Sequence, residues 1–183
     1  QINMNIRLLI VMSFLAIVTA PTFGGSRADV LKELNSSAST EGSEDVKSWR
    51  IFFDACIEMT DPPFPLSDTF DMNTVWPGME DWPKVVAWTQ ENEHMAGVFI
   101  ESANRALIGL PYGAENVPEE YVTNDIIAEI GVDGQLHSFH FGYVHSVKLA
   151  CLWSTAELYR QFEAGSTKQA IRLLMSELIV LRK

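Results

Sequence analysis

The stretch HSFHFGYVH, residues 137–145, holds three of the chain's four histidines. Imidazole is a common zinc and copper ligand. Three on one ion would leave a position open for a water that attacks an ester or amide. His137, His140 and His145 are therefore the candidate metal ligands, and an exported metal-dependent hydrolase built on the His137–His145 segment is one functional reading. Their spacing weakens it. Ligands must converge on one point, as two histidines four apart on a helix do. His137 and His140, on an extended strand, point to opposite faces. His145 falls in the first turn of the following helix, and His94 lies far off in sequence. Exposed or hydrogen-bonded side chains are the plainer reading, and no cofactor is expected.

The other reactive side chains form no better constellation. Asp61, Asp68, Asp71, Glu80 and Asp81 gather in one long loop, which invites calcium. The EF-hand template fails there, with Val75 at a ligand position, Trp76 at the turn glycine and Trp82 at the bidentate glutamate. Turns and caps account for the same acids. Trp76, Trp82 and Trp88 suggest a stacking platform for sugars, yet Trp82 and Trp88 are six apart and share no helical face. At least one of them belongs to a core. Cys151 and His145 are also six apart on one helix, on different faces, so they make no nucleophile pair. The sequence carries no nucleophile elbow, zinc-protease helix or phosphate-cradling loop.

Charge and length narrow the classes further. The 183 residues suit one domain. Acids outnumber bases 24 to 13, a net charge of −11. That balance repels phosphate backbones and anionic lipid, so no nucleic-acid partner is expected. From Met4 the chain reads as a short positive stretch, MNIR, and an apolar run of about a dozen residues, the pattern of a secretory signal. The run is too short for a comfortable membrane span. Residues 1–28 are thus expected to be signal peptide and leader, with cleavage after Ala20, Gly24 or Ala28, and the mature protein to be secreted or periplasmic. No stable membrane span is expected after that cleavage. Export makes a Cys56–Cys151 disulfide an open alternative to two buried thiols.

These residues need elements to hold them. SRADVLKELN is a short helical stretch, but residues 29–45 read overall as a polar linker, with Asn35-Ser36-Ser37 a glycosylation sequon. The folded domain is expected over 46–183. Val46, Trp49, Phe52, Phe53, Cys56 and Ile57 recur at helical steps, and Asp61-Pro62-Pro63 stops them. Asp81 is the expected N-cap of a helix with Pro83 in its first turn. The next helix carries Met95, Val98, Phe99, Ala103, Ala106 and Leu107 and ends at Gly109 and Pro111. Ile126, Ala128, Ile130 and Val132 alternate ahead of Asp133-Gly134, a hairpin signal that competes with a helix up to Ile130. A helix over Tyr143–Glu163 follows, with Val144, Val147, Cys151, Leu152, Thr155, Tyr159 and Phe162 on its apolar side. Gly165 separates it from a last helix. The fold class is mainly α: an irregular helical domain with a C-terminal helical hairpin and room for one small β-hairpin.

MNTVWPGMEDWPKVVAW, IGLPYGAENVPEEY and AEIGVDGQL together resemble uncharacterised exported proteins of planctomycete-type bacteria, over roughly Phe64 to Leu174. The resemblance implies export and a longer parent chain, and brings no activity or site residues with it. AELYRQFEAGSTKQAIRLL is similar to a tetratricopeptide-like helical hairpin in Gly165, Ala170 and Leu174, and departs from it at Glu157 and Leu158. One such unit is short of the three a solenoid needs.

The last helix points to a partner. In AIRLLMSELIVL only Arg172, Ser176 and Glu177 are polar, and a helix apolar nearly all round wants cover on several sides. One side is expected to pack on Tyr159 and Phe162, leaving Leu173, Ile179 and Val180 for a continuation beyond Lys183 or a second molecule. A non-catalytic binding or scaffold domain, contacting a protein partner or itself through this helix, is the leading expectation.

Overall fold

The structure, a computed structural model, describes residues 26–36, 42–64, 75–131 and 135–183. The apolar leader, Asp68, Asp71 and the Asp133-Gly134 turn lie outside these residues. In chain order the helices are α1 (Arg27–Asn35), α2 (Trp49–Glu58), α3 (Trp82–Glu91), α4 (His94–Asn104) and α5 (Glu119–Thr123). Strands β1 (Ala128–Ile130) and β2 (Phe139–Phe141) pair antiparallel, and α6 (Tyr143–Glu163) and α7 (Thr167–Leu181) form the C-terminal helical pair. The fold is mainly α with one small ribbon, as the periodicities predict. No helix among the described residues is long and apolar enough to cross a membrane.

The core gathers around α6. Trp153 is fully buried, its ring stacked on Phe99 of α4 at 6.4 Å, and its indole N–H donates to the Thr89 carbonyl of α3 at 3.1 Å. One side chain thus joins three helices. Phe52 of α2 meets Phe99 edge-on at 5.5 Å, and Trp49 meets Tyr121 of α5 at 5.3 Å. The Tyr121 hydroxyl, inside this apolar cluster, donates to the Asp54 carboxylate, so its burial leaves no polar atom wasted. Burial of each such ring is worth about 1.5 to 3 kcal/mol. Helix α7 packs on both α4 and α6.

Several expected boundaries move for identifiable reasons. Helix α4 ends at Asn104, before Ala106 and Leu107. Those two amides instead donate to the Val46 carbonyl at 3.0 and 3.1 Å, while Ser48 N donates to Leu107 O at 3.0 Å. A cross-chain ladder takes the backbone bonds that another helical turn would have used. Asp81 caps α3 by position only; its carboxylate pairs with Lys84 at 2.7 Å. The ribbon joins Ala128 to Phe141, Glu129 to His140 and Ile130 to Phe139. Helix α6 buries Ala150, Trp153, Ser154, Ala156 and Glu157, while Val144, Tyr159 and Phe162 face solvent. Two of its inward polar groups are satisfied: Ser154 bonds to α7, and Glu157 accepts from Arg160 at 2.6 Å and Gln161 at 2.7 Å.

Helix α1 spans the expected boundary between leader and linker. Ser26 and Asp29 form a capping box, and Leu31 is buried. Arg27 Nε donates to Ile130 O at 2.9 Å, and its Nη2 pairs with the buried Glu129 at 2.7 Å. Asn35 exchanges two hydrogen bonds with the Tyr112 backbone, at 2.8 and 2.7 Å. The sequon asparagine is therefore already in use. Residues 26–36 thus form a capped helix that is tied to the rest of the described chain.

Candidate functional site

Gly165, at φ +73°, turns the chain out of α6 and lets α7 run back alongside it. A helix presents rows of residues three and four apart. The inner row of α7 is Ala170, Leu173, Glu177 and Val180, all buried. Glu177 accepts from Ser154 Oγ at 2.9 Å and from the Cys151 thiol. Desolvation outweighs both donors and holds its carboxyl above the usual carboxylate range. At the far end, Lys183 Nζ donates to the carbonyls of Ser102 and Ala103 at 2.8 and 3.0 Å, and to that of Arg105. The ammonium thereby closes the C-terminal end of α4. Helix α7 is fixed along its length.

Its outer row is Ile171, Leu174, Leu178 and Leu181, with Met175 beside it. These five side chains are 51, 37, 53, 50 and 52 % exposed, in that order. The spacing of 171, 174, 178 and 181 is the three-four repeat of a helix-packing seam. The next row, through 168, 172, 175, 179 and 182, places Lys168, Arg172 and Arg182 along one edge, all exposed. None of the three has an ion-pair partner among the described residues. The sequence expectation is reversed in its choice of face. Leu173 and Val180 are 2 and 4 % exposed, Ile179 is half-buried, and Tyr159 and Phe162 stand in solvent. The cause is Glu177, whose satisfied carboxyl lies inside and turns the uniformly apolar row outward.

A cavity of about 280 Å³ opens where α7 ends. Phe52, Phe53, Leu110, Tyr143, Val147 and Leu181 are among its walls, so it is mainly apolar. Leu181 belongs to both the cavity and the outer row.

No protein-family model, curated protein or solved structure matches the chain. The site is therefore read from its own side chains.

The reactive residues predicted from sequence are placed as follows. His137, His140 and His145 are all exposed. His140 pairs with Asp125 at 2.7 Å, and His145 lies in the first turn of α6. Among the described residues no three His, Cys, Asp or Glu side chains are assembled to hold a metal ion. The candidate ligand set is not brought together, because the register sends His140 toward the α5 end while the other two stay in solvent. The segment instead displays Phe139 and Phe141, 59 and 40 % exposed and stacked at 6.1 Å.

Cys56 and Cys151 are buried free cysteines. Each points to its own neighbour, Cys56 toward the Ser146 carbonyl at 4.0 Å and Cys151 toward Glu177. Burial pushes both up to about 12. Trp82 and Trp88 are core residues whose indoles donate to Glu163 and to the Thr60 carbonyl, at 2.9 and 2.8 Å. Of the three tryptophans only Trp76 is exposed, so no sugar platform is formed.

Proposed function

We propose that this chain is an exported, non-catalytic binding domain whose contact surface is the outer row of α7. The observation that carries this reading is the seam of Ile171, Leu174, Leu178 and Leu181, about half exposed on a helix whose inner row is buried and whose C-terminal half is anchored by Glu177 and Lys183. Burying each such side chain is worth about 1.5 to 3 kcal/mol, so wet rows of this size drive association. The rest of the structure supports binding rather than chemistry: its thiols are buried, and no three His, Cys, Asp or Glu side chains among the described residues gather to hold a metal ion. Export rests on the charged and apolar pattern that follows Met4 and on the resemblance to exported proteins.

The test is light scattering on the purified protein at about 10 µM, an order of concentration at which a seam of a few leucines associates. The unmodified protein should self-associate weakly, and Leu178→Asp should be monomeric with unchanged helicity and melting. A clean monomer of the unmodified protein that also binds no leucine-seam helical peptide overturns the reading.

A further inference from the structure

We infer that the natural occupant of the α7 seam is an amphipathic helix of another protein, with acidic residues along one edge, and not a second copy of this chain. This rests on the reading of α7 as the contact surface. Residues 167–183 carry Lys168, Arg172, Arg182 and Lys183 against the single acid Glu177, a net +3, which leaves −14 on the rest of the chain. Lys183 is spent on the α4 carbonyls, and Glu177 is inside. The seam is thus bordered on one edge by three exposed cations without ion partners among the described residues, in a chain that is otherwise acidic. Elsewhere the basic side chains that touch acids are already matched: Arg27 to Glu129, Lys47 to Glu44, Arg105 to Glu101 and Arg160 to Glu157.

Geometry separates a foreign helix from a second copy. A two-fold axis that lays α7 antiparallel on its own copy carries each edge of the helix onto the same edge of the copy. Lys168 would then face the second copy's Arg182, and Arg172 would lie close to its own counterpart. Like charges brought together this way oppose the apolar attraction. Self-association through the row is accordingly weak. A helix with leucines in the three-four repeat and glutamates on the facing edge meets the leucine row with leucines and the cations with carboxylates, the pairing that sets partner choice in helical seams. An anionic bilayer would also present negative charge to this edge, but it would meet the −14 of the remaining surface as well.

The experiment uses two synthetic three-heptad peptides, with leucine at both seam positions and either glutamate or lysine at all flanking positions. Each is labelled and titrated with the purified protein, with fluorescence anisotropy as the readout. The glutamate peptide should bind at least tenfold more tightly than its lysine twin, weaken as salt is raised, and dissolve the weak self-association into one-to-one complexes. Leu178→Asp should abolish binding. The triple variant Lys168→Glu, Arg172→Glu, Arg182→Glu should reverse the preference between the peptides. Equal affinity for the two peptides, or an acidic preference that survives the triple variant, overturns the inference. So does a dimer that excludes the glutamate peptide, or tighter binding to phosphatidylglycerol vesicles than to the peptide. If the peptide fails while Leu178-dependent self-association persists, only this inference falls. If neither occurs, the reading of α7 as a contact surface falls with it.

Discussion

Ser154 Oγ donates a 2.9 Å hydrogen bond to Glu177 Oε2 within the α6–α7 interface, and both residues are buried. That carboxyl titrates above its ordinary 4.5 because desolvation exceeds what Ser154 and Cys151 supply. The folded protein therefore keeps the Glu177 proton after the unfolded chain has lost it. The contribution is fully present below the ordinary carboxyl range and is lost as pH rises from there through the raised value. Glu177→Gln keeps an acceptor for Ser154 and removes the titration. It should raise stability at pH 7 by about 1 kcal/mol, or about 3 °C in melting temperature. The gain should shrink toward pH 4, which calorimetry across that range will check.

Ser102 presents a different kind of buried polar atom. It is fully buried in α4, and its Oγ has no hydrogen-bond partner among the described residues. Ser102→Ala removes an unmatched hydroxyl and puts the best helix former in its place. Stability should rise by about 1 kcal/mol, read as a higher urea midpoint at constant slope. A loss of stability would mean that the hydroxyl has a partner.

Arg27 compensates the buried Glu129, whose other oxygen accepts from the Ala114 amide. Removing one member of such a pair leaves a charge unmatched. The cost is reduced here because the Arg27 side chain is 37 % exposed. Arg27→Ala should destabilise by about 1 to 2 kcal/mol. The same clamp bears on export. N-terminal sequencing of protein recovered from a secreting host should show cleavage ahead of Ser26, and a mature chain starting at Asp29 would lack both the clamp and the cap.

The thiols should be inert while the protein is folded. Reactivity follows the thiolate, and burial holds Cys56 and Cys151 at about 12. A chromogenic disulfide reagent at pH 8 should leave both unmodified in the native protein and titrate two in denaturant without reductant. One disulfide and no free thiol would contradict the structure.

Much of the architecture was readable from spacing alone. The recurrence of Trp49, Phe52, Phe53 and Cys56 marks α2, and Tyr143 and Glu163 bound α6 as the pattern predicts. The faces were harder, because sequence rules place polar residues outside. Ser154, Glu157 and Glu177 break that rule through hydrogen bonds that only the folded chain reveals. Once Glu177 is taken as outward, the two rows of α7 exchange roles. Helix α1 was undervalued for a related reason. Its few apolar residues understate its attachment, which comes from Arg27 and Asn35 reaching residues about a hundred and about eighty positions away.

Those long reaches set an order of events during synthesis. A chain made from its N-terminus has α1 in hand early, but Arg27 must wait for Glu129 and Ile130, which lie 102 and 103 positions later. The joint between α3 and α4 waits for Trp153, which lies 64 positions beyond Thr89. Contacts so distant in sequence delay closure of the core until the last two helices have left the ribosome. Until then the contacts that Arg27 and Trp153 supply are unmade. The late closure comes from where Arg27 and Trp153 find their partners.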